Sequence, residues 1–378
     1  MQFLIDYLNN KKECLVNFEI NTLIAKCKSH SILPILYKAC KRYKVNLTKE
    51  QDDFLKKNFL LNITKESVQE YEYKKVIDLF ERENIRCLPL KGIEIKDVYD
   101  SPEDRTMCDI DLLYDKNQCK KVKKIMLVLG YSCNSYGGTH DVYFKKPYVT
   151  FEMHRVLIDE KYSIFNSYYS NIWDVVNKKE GRENIYEMSC EDAYIYMIVH
   201  MARHFSSGGI GFRYLIDIWL YTKKKKLNEK YIQEELEKIK INIFEMKMRN
   251  LSISLFEYKD LNDEQKQLYD FIINSGTYGN IIHSQALKKF MGKSGYKVIK
   301  MNPLKYYFCM LFPTFKQMKS RNHILKKYPI FLPYFYVERI FNAIFKRRKL
   351  TIAMIKGVKK YDKETAKKIQ EIHEKMGI

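Results

Sequence analysis

Asp109 and Asp111 have the residue type and spacing of a metal site, because they alternate with apolar residues in the run Cys108–Leu113. Successive side chains of a strand point to opposite faces, so the two carboxylates share one face while Ile110 and Leu112 enter the core. Adjacent carboxylates repel each other, and a bound divalent cation relieves that repulsion. Oxygen ligands of this kind favour Mg²⁺ or Mn²⁺. The run therefore predicts a metal-binding strand.

Glu152 lies in a second alternating run, Val149–His154. Phe151 and Met153 share one face of the predicted strand, whereas Glu152 and His154 share the other. If this strand pairs with the first, Glu152 becomes a third carboxylate beside the Asp-x-Asp pair. Three carboxylates can hold two metal ions that clamp a phosphoryl group during in-line displacement.

A phosphate-binding turn is predicted at Lys91–Gly92, upstream of the carboxylates. The apolar run Leu88–Leu90 leads into this turn, and a helix-like stretch, Ile93–Tyr99, follows it. Glycine lets the backbone approach a phosphate, a helix start offers free N–H groups, and the lysine adds a cation. Arg105, in the loop before Asp109, can neutralise charge on a triphosphate or a leaving pyrophosphate.

Each of these motifs also has a purely structural explanation. An Asp-x-Asp run occurs on solvated edge strands and in Asx turns, Lys91–Gly92 can be an ordinary strand-to-helix turn, and Glu152 can be an exposed strand residue. The order of the set favours a metal-dependent phosphate site, because each element has the geometry that its role requires. The sequence contains no Walker-type, Gly-x-Gly-x-x-Gly or Gly-x-Ser-x-Gly motif.

The elements that must position these residues divide the chain into three regions. Residues 1–84 carry helical periodicity, 85–180 contain short apolar runs typical of strands, and 181–378 return to a helical pattern. A helix is expected over 116–129, between the strands. The predicted strands are Arg86–Leu90, Ile110–Tyr114, Asp141–Phe144 and Tyr148–Met153. We therefore expect an α+β fold, with a small mixed sheet between helical N-terminal and C-terminal regions.

The formal net charge of +21 over 378 residues is concentrated near the C-terminus. Residues 288–378, the basic arm, hold 23 Lys and Arg against 5 Asp and Glu, and no acidic residue lies between Asp270 and Glu338. Segregated charge of this kind indicates contact with nucleic acid or an anionic membrane surface. An A/T-rich genome also inflates the lysine content, but it does not explain the missing acids.

The cysteine pattern and the N-terminus indicate a cytoplasmic protein. The nine cysteines are scattered without a Cys-x-x-Cys pair, which is typical of reduced thiols rather than of disulfides or zinc. The run Met1–Asp6 lacks the basic and long apolar segments of a signal peptide.

A membrane-like run covers Tyr328–Phe345, and the basic cluster Lys346–Lys349 follows it directly. Pro329, Pro333 and Glu338 interrupt the run, which argues against a membrane-spanning helix. The run can lie on a membrane surface. The pattern favours a buried amphipathic helix with a basic end.

The sequence resembles the bacterial family of uncharacterised nucleotidyltransferases and, more widely, the DNA polymerase β-like superfamily. The resemblance rests on Leu90–Gly92, Arg105, Asp109–Leu113, Leu129–Tyr131 and Phe151–His154, and it continues through Glu191–Asp192, His200, Arg203–His204, Arg213 and Asp217. Lys91–Gly92 stands where the wider superfamily carries a Gly-Ser or Gly-Gly pair. The match spans most of 85–348, and its specific part is 88–154.

The resemblance implies a role for each of these residues. Asp109, Asp111 and Glu152 would bind Mg²⁺ or Mn²⁺, and Glu152 would help to deprotonate an acceptor hydroxyl. The NTP would contact the remaining members of the set, which are Lys91, Gly92, Arg105, His154, His200, Arg203, His204 and Arg213.

Two positions keep alternative interpretations. His200 and His204 have the i, i+4 spacing of metal ligands, but no Glu lies between them as in zinc proteases, which favours partly buried or phosphate-facing imidazoles. Asp217 either orients one of the nearby cations or forms a salt bridge between helices.

The expected activity is transfer of an NMP from an NTP to an acceptor hydroxyl, with release of pyrophosphate. The alternative is a catalytically silent relative that binds nucleic acid or an anionic surface through the basic arm. A kinase-like phosphotransferase is a third interpretation. The acceptor stays open among RNA, protein, sugar and small molecule.

Overall fold

The structure is a computed structural model that describes residues 1–14, 18–160, 162–277, 279, 308, 311–322, 324–348, 351–352 and 363–378. It contains two compact units. The first comprises Met1–Ala202 with Gly211–Tyr269, and the second comprises Arg203–Ile210 with Asp270–Ile378. Within the basic arm, residues 288–307, 309–310, 323, 349–350 and 353–362 lie outside the described residues. The three-part division of the sequence stays a prediction.

Four helices precede the sheet in the first unit. They are α1 (Gln2–Leu8), α2 (Ile20–Ser29), α3 (Leu33–Arg42) and α4 (Lys49–Arg82). A capping box fixes the start of α4, because the Thr48 side chain accepts from the backbone N–H of Gln51 while the Gln51 side chain accepts from the N–H of Thr48. Near its end, α4 buries Val76 and Phe80 in the core of the sheet.

The central sheet has five strands in the order β1-β2-β5-β4-β3. Their bounds, with the two helices between them, are β1 (Cys87–Pro89), α5 (Gly92–Lys96), β2 (Ile110–Tyr114), α6 (Cys119–Val128), β3 (Ser132–Ser135), β4 (His140–Lys145) and β5 (Val149–His154). β2 and β5 pair in parallel, and the other neighbours pair antiparallel. This mixed sheet between helices confirms the predicted α+β fold.

The core packs against one face of the sheet. Val149, Phe151 and Met153 of β5 are buried there with residues of α4 and α6. The ring of Tyr131 meets that of Phe151 edge-on at 5.5 Å. Each fully buried side chain of this size stabilises the fold by about 2 kcal/mol. This burial fixes the register, which leaves Glu152 on the opposite face.

The rest of the first unit is mostly helical. After α7 (Ser163–Tyr168) and α8 (Ile172–Val175), a short antiparallel pair, β6 (Asn177–Lys178) and β7 (Tyr186–Glu187), leads into five helices. These are α9 (Cys190–Gly208), α10 (Arg213–Lys224), α11 (Glu229–Lys238), α12 (Asn242–Phe256) and α13 (Asp263–Ser275). Residues of α9 and α13 are divided between the two units.

The second unit carries helices Phe315–Arg321, Ile324–Lys327, Leu332–Phe341 and Lys363–Lys375, with a π-helical turn over Asn342–Lys346. The expectation of a buried amphipathic helix in this region is wrong, since no residue of Leu332–Phe341 is buried. Among the described residues, no helix combines the length and the hydropathy that a membrane span requires.

Candidate active site

The parallel pairing of β2 and β5 brings three potential metal ligands together. Asp111 lies opposite Glu152 in the register, and Leu113 lies opposite His154. Ligand atoms of Asp111, Glu152 and His154 all lie within 4.8 Å of one another. The Nε2 atom of His154 is 2.8 Å from Oδ1 of Asp111 and 3.8 Å from Oε2 of Glu152. The three side chains form one cluster, which we call the acidic cluster.

Asp109 precedes β2 by one residue and is not among the three ligand-forming side chains. It is half-buried, and its pKa responds to the charge of the cluster. Burial raises the pKa of Asp109, and the negative charge of Asp111 raises it further. His154 therefore joins Asp111 and Glu152 in this three-residue group, and the assignment of Asp109 as a metal ligand stays a prediction.

Lys91 places a positive charge beside the acidic cluster. Its Nζ atom lies 3.3 Å from Oδ2 of Asp111 and 2.9 Å from Nε2 of His200. The backbone of Lys91 has a φ of 27°, a region that side-chain-bearing residues rarely adopt, as the chain turns from β1 into α5. That turn points the ammonium group at Asp111.

The acidic cluster holds unequal carboxylates. Burial of Asp111 acts to raise its pKa, but the charge of Lys91 and the hydrogen bond with His154 outweigh it and hold the pKa well below its usual range. Glu152 shows the opposite behaviour, because burial and then the charges of Asp111 and Asp109 raise its pKa. The site therefore pairs a carboxylate that stays ionised to lower pH with one that takes up a proton more readily.

His140 is a member of the site that the sequence analysis did not identify. It lies opposite His154 in the pairing of β4 with β5, and the two rings are 5.2 Å apart. Its Nε2 atom is 3.8 Å from Oε2 of Glu152. The alternating patterns around Asp141–Phe144 and Val149–His154 predict two strands. If these two predicted strands had been paired as a hairpin, His140 would have been predicted on the same face as Glu152 and His154.

Arg105 is engaged by a carboxylate of its own. Its Nε and Nη2 atoms donate to Oδ1 and Oδ2 of Asp217 at 2.9 and 3.0 Å, and the Tyr99 hydroxyl donates to Oδ1 at 2.7 Å. A third bond runs from Nη1 of Arg105 to the carbonyl of Gly92 at 3.3 Å. Arg105 and Asp217 are both buried. Through its hydrogen bond to the Gly92 carbonyl, the Arg105–Asp217 pair therefore holds the Lys91–Gly92 turn in place.

Gly92 is needed at this turn for steric reasons. A Cβ atom added there would lie 2.6 Å from Sδ of Met107, and 3.6 Å from Nη1 of Arg105. The absence of a side chain keeps the backbone of the turn close to the loop that carries Arg105.

A comparison with known families matches residues 17–257 to the family described as uncharacterised nucleotidyltransferase. The chain belongs to this family. No curated protein and no solved structure matches the chain at a significant level. The matched range includes the whole five-stranded sheet, the acidic cluster and the Lys91–Gly92 turn. Nucleotidyl transfer is thus the general activity that the family membership supports.

The remaining predicted residues of this nucleotidyltransferase family member lie in different places. His200 contacts Lys91 directly. Arg213 is buried and donates from Nη1 to the carbonyl of Thr106 at 2.7 Å, next to the Arg105 loop. Arg203 and His204 belong to the second unit. Their assignment to the nucleotide stays a prediction.

Proposed function

We propose that this protein transfers an NMP from an NTP to an acceptor hydroxyl at the acidic cluster. The observation that carries the proposal is the parallel register of β2 with β5, which sets Asp111 beside Glu152 and His154. Family membership supports nucleotidyl transfer in general. The order of the motifs supports a place in the DNA polymerase β-like superfamily.

The acidic cluster fits a divalent cation. Two carboxylates and one imidazole offer ligand atoms within 4.8 Å of one another, and Asp109 adds a nearby negative charge. Mg²⁺ and Mn²⁺ both accept carboxylate oxygens, whereas an imidazole ligand suits transition metals better than Mg²⁺. A bound ion would neutralise and orient the triphosphate. Asp111, Glu152 and His154 are the residues that would hold it, with Asp109 beside them.

Lys91 and Glu152 have complementary roles in the proposal. Lys91 carries a positive charge at the cluster, where it can stabilise the charge of the leaving pyrophosphate. Glu152 is partly exposed beside the cluster, so its carboxylate can take the proton of the acceptor hydroxyl.

Arg105 and Gly92 act in the proposal by positioning. Arg105 is tied to Asp217 and to the Gly92 carbonyl, so it holds the turn that presents Lys91. The direct contact of Arg105 with phosphate, expected from the sequence, would require it to leave a buried carboxylate. We therefore assign the phosphate contact to Lys91 and to the backbone at Gly92.

The test is transfer of label from each α-³²P-labelled NTP, with Mg²⁺ or Mn²⁺, to molecules of a cell extract. We expect the native protein to label one class of acceptor among RNA, protein, sugar and small molecule. Asp111→Asn and Glu152→Gln should abolish labelling, and the exposed control Asp263→Asn should retain it. Undiminished labelling by both cluster variants would contradict the proposal. Labelling from γ-³²P NTP instead would indicate a kinase.

One observation favours the alternative of a catalytically silent binding protein. Both carboxylate oxygens of Asp111 already have partners, since Lys91 lies at Oδ2 and His154 at Oδ1. A silent protein needs no metal at this position. Titration with Mn²⁺, followed by electron paramagnetic resonance of the free ion, separates the two functions. The transferase predicts binding that Asp111→Asn removes, whereas the silent protein predicts none.

A further inference from the structure

We propose that the second unit docks onto an anionic lipid surface through one face of helix Leu332–Phe341 and its flanking turns. Five apolar residues define this face. Three lie on the helix at spacings of three and four positions, and one lies in each flanking turn. We call them the apolar stripe, and they are Ile330, Tyr334, Val337, Phe341 and Ile344.

The side chains of the apolar stripe are exposed to solvent. Ile330 is 83% exposed, Val337 67% and Tyr334 63%, and Phe341 and Ile344 are each more than half exposed. Contiguous exposed apolar surface of this kind is unusual in a protein that meets only water, and it marks an interaction site. The stripe therefore has the composition of a surface that a partner covers.

Tyr336, on another side of the same helix, contacts the protein. The Tyr336 hydroxyl donates to the carbonyl of Pro313 at 2.6 Å, and its ring meets that of Phe312 edge-on at 5.5 Å. These contacts fix the rotation of the helix. Tyr336, which makes these contacts, is only partly exposed, whereas the stripe residues are exposed.

The charges around the apolar stripe select the partner. Lys346, Arg347 and Arg348 are exposed directly after it, and Lys327 is exposed just before it. Glu338 is the single acidic residue between Asp270 and Asp362 in the sequence. Basic residues near a membrane surface each contribute about 1 kcal/mol of attraction to anionic lipid. The stripe thus combines apolar side chains with positive charge at both ends.

Lipid fits this combination better than nucleic acid does. Single-stranded nucleic acid binds through aromatic stacking along a basic groove. Tyr328, Phe331 and Phe345 expose rings beside the stripe. The two most exposed apolar side chains of the segment, Ile330 and Val337, are nevertheless aliphatic and offer no ring for a base. Apolar residues between basic ends are instead typical of helices that lie in the interface of a bilayer. Tyr334 suits the same interface, where its ring and its hydroxyl meet apolar and polar layers.

The test is co-sedimentation of the full-length protein with vesicles of phosphatidylcholine, alone or mixed with phosphatidylserine. We expect binding to the mixed vesicles, and weaker binding as salt increases. Val337→Asp should lower the partition coefficient at least tenfold, since it removes apolar burial and adds a repelled charge. Val128→Asp is the matched control, because Val128 of the first unit is 77% exposed, somewhat more than Val337, and this variant should bind as the native protein does.

A second variant keeps the proposal testable if Val337→Asp fails to fold. Arg347→Gln combined with Arg348→Gln removes charge without altering the stripe, and it should abolish the preference for phosphatidylserine. Equal binding by native protein, Val337→Asp and the double variant would overturn the proposal. So would RNA binding, or concentration-dependent self-association, that Val337→Asp abolishes while vesicles bind none of the proteins. None of these readouts involves nucleotide, so they are independent of the transferase proposal.

Discussion

Two buried aspartates of the first unit, Asp111 and Asp217, both have basic partners, but they differ in the balance of charge around them. Asp217 is fully buried, and its oxygens accept from Arg105 and from Tyr99 at 2.7 to 3.0 Å. Asp111 has Lys91 at 3.3 Å and His154 at 2.8 Å, and it shares its surroundings with other carboxylates. The Asp217 set is closed, which means that the negative charge of Asp217 is matched by the positive charge of Arg105. The Asp111 set holds more negative than positive charge, which leaves it suited to an additional cation.

The difference shows what separates a structural ion pair from a chemical site. Breaking a closed pair leaves a buried charge without compensation, which costs stability. Burial raises the pKa of Asp109 and of Glu152, and repulsion from neighbouring carboxylates raises both pKa values further, so the ionised forms of these groups oppose folding. Such a cluster is expected where function is gained at the expense of stability.

The largest expected effect is that of Glu152→Gln on transfer. The variant should reduce transfer by about a thousandfold, the scale on which a single electrostatic contributor acts. At neutral pH its free energy of unfolding in urea should hold or rise, because the change removes a repelled charge. Since the folded pKa of Glu152 is raised, this gain should begin to fall as the pH drops through that pKa, and it should be lost below the ordinary carboxylate value of about 4. A large loss of stability at neutral pH would remove the contrast with Asp217.

Asp217→Asn should behave in the opposite way. It leaves the buried Arg105 uncompensated, so the free energy of unfolding should fall by about 3–5 kcal/mol. The control is Asp78→Asn, which breaks a surface pair with Arg182 and should cost less than about 1 kcal/mol. Mn²⁺ affinity of the folded fraction should stay within a few fold of the native value. Equal small losses for both variants would show that the Asp217 pair is not closed.

Gly92→Ala tests the link between the two sets, because Gly92 lies between Lys91 and the Arg105 guanidinium. The added Cβ would meet Sδ of Met107 at 2.6 Å, so urea denaturation should show a loss of about 1–3 kcal/mol from overpacking. In a protein that already carries Met107→Ala, adding Gly92→Ala should cost less stability than it costs the native protein. Simple additivity in this double-mutant cycle would mean that the two side chains do not meet.

The smallest effect concerns pH. The raised pKa of Glu152 lets protons compete with a metal ion at a pH above the ordinary carboxylate range of about 4, so Mn²⁺ affinity should fall by up to tenfold per pH unit on acidification. Asp111, whose pKa is held low, contributes no such loss in this range. Glu152→Gln should flatten the profile. A profile unchanged by Glu152→Gln would place the titrating group elsewhere.

The strands around the acidic cluster were predictable because the pattern and the burial coincide. Alternation predicted Ile110–Tyr114 as observed, and it placed Glu152 on the face opposite Phe151. β3 escaped prediction because Ser132–Ser135 is polar and mostly exposed, so it has no apolar pattern. Helix 116–129 was predicted to be longer than α6, which begins at Cys119 after a 3₁₀ turn.

The partners of the charged residues were less predictable than the strands. Arg105 and Asp217 are 112 residues apart, and no local spacing indicates that they meet. A salt bridge was one of two interpretations of Asp217, but its partner was not specified. Likewise, the exposure of Tyr334 and its neighbours depends on which helix face packs against Phe312. Periodicity shows that a helix has an apolar face, but not whether the protein covers it.

The parallel neighbours β2 and β5 have a consequence for the time at which the site forms. Asp111 and His154 are 43 residues apart, and α6, β3 and β4 lie between β2 and β5 in the sequence. During synthesis, a chain that has not yet emerged beyond Lys145 carries both aspartates without Glu152 or His154. Contacts so distant in sequence form slowly, since the loop between them must close first. Metal affinity should therefore arise in a single late step, and it can report when a nascent chain has completed its sheet.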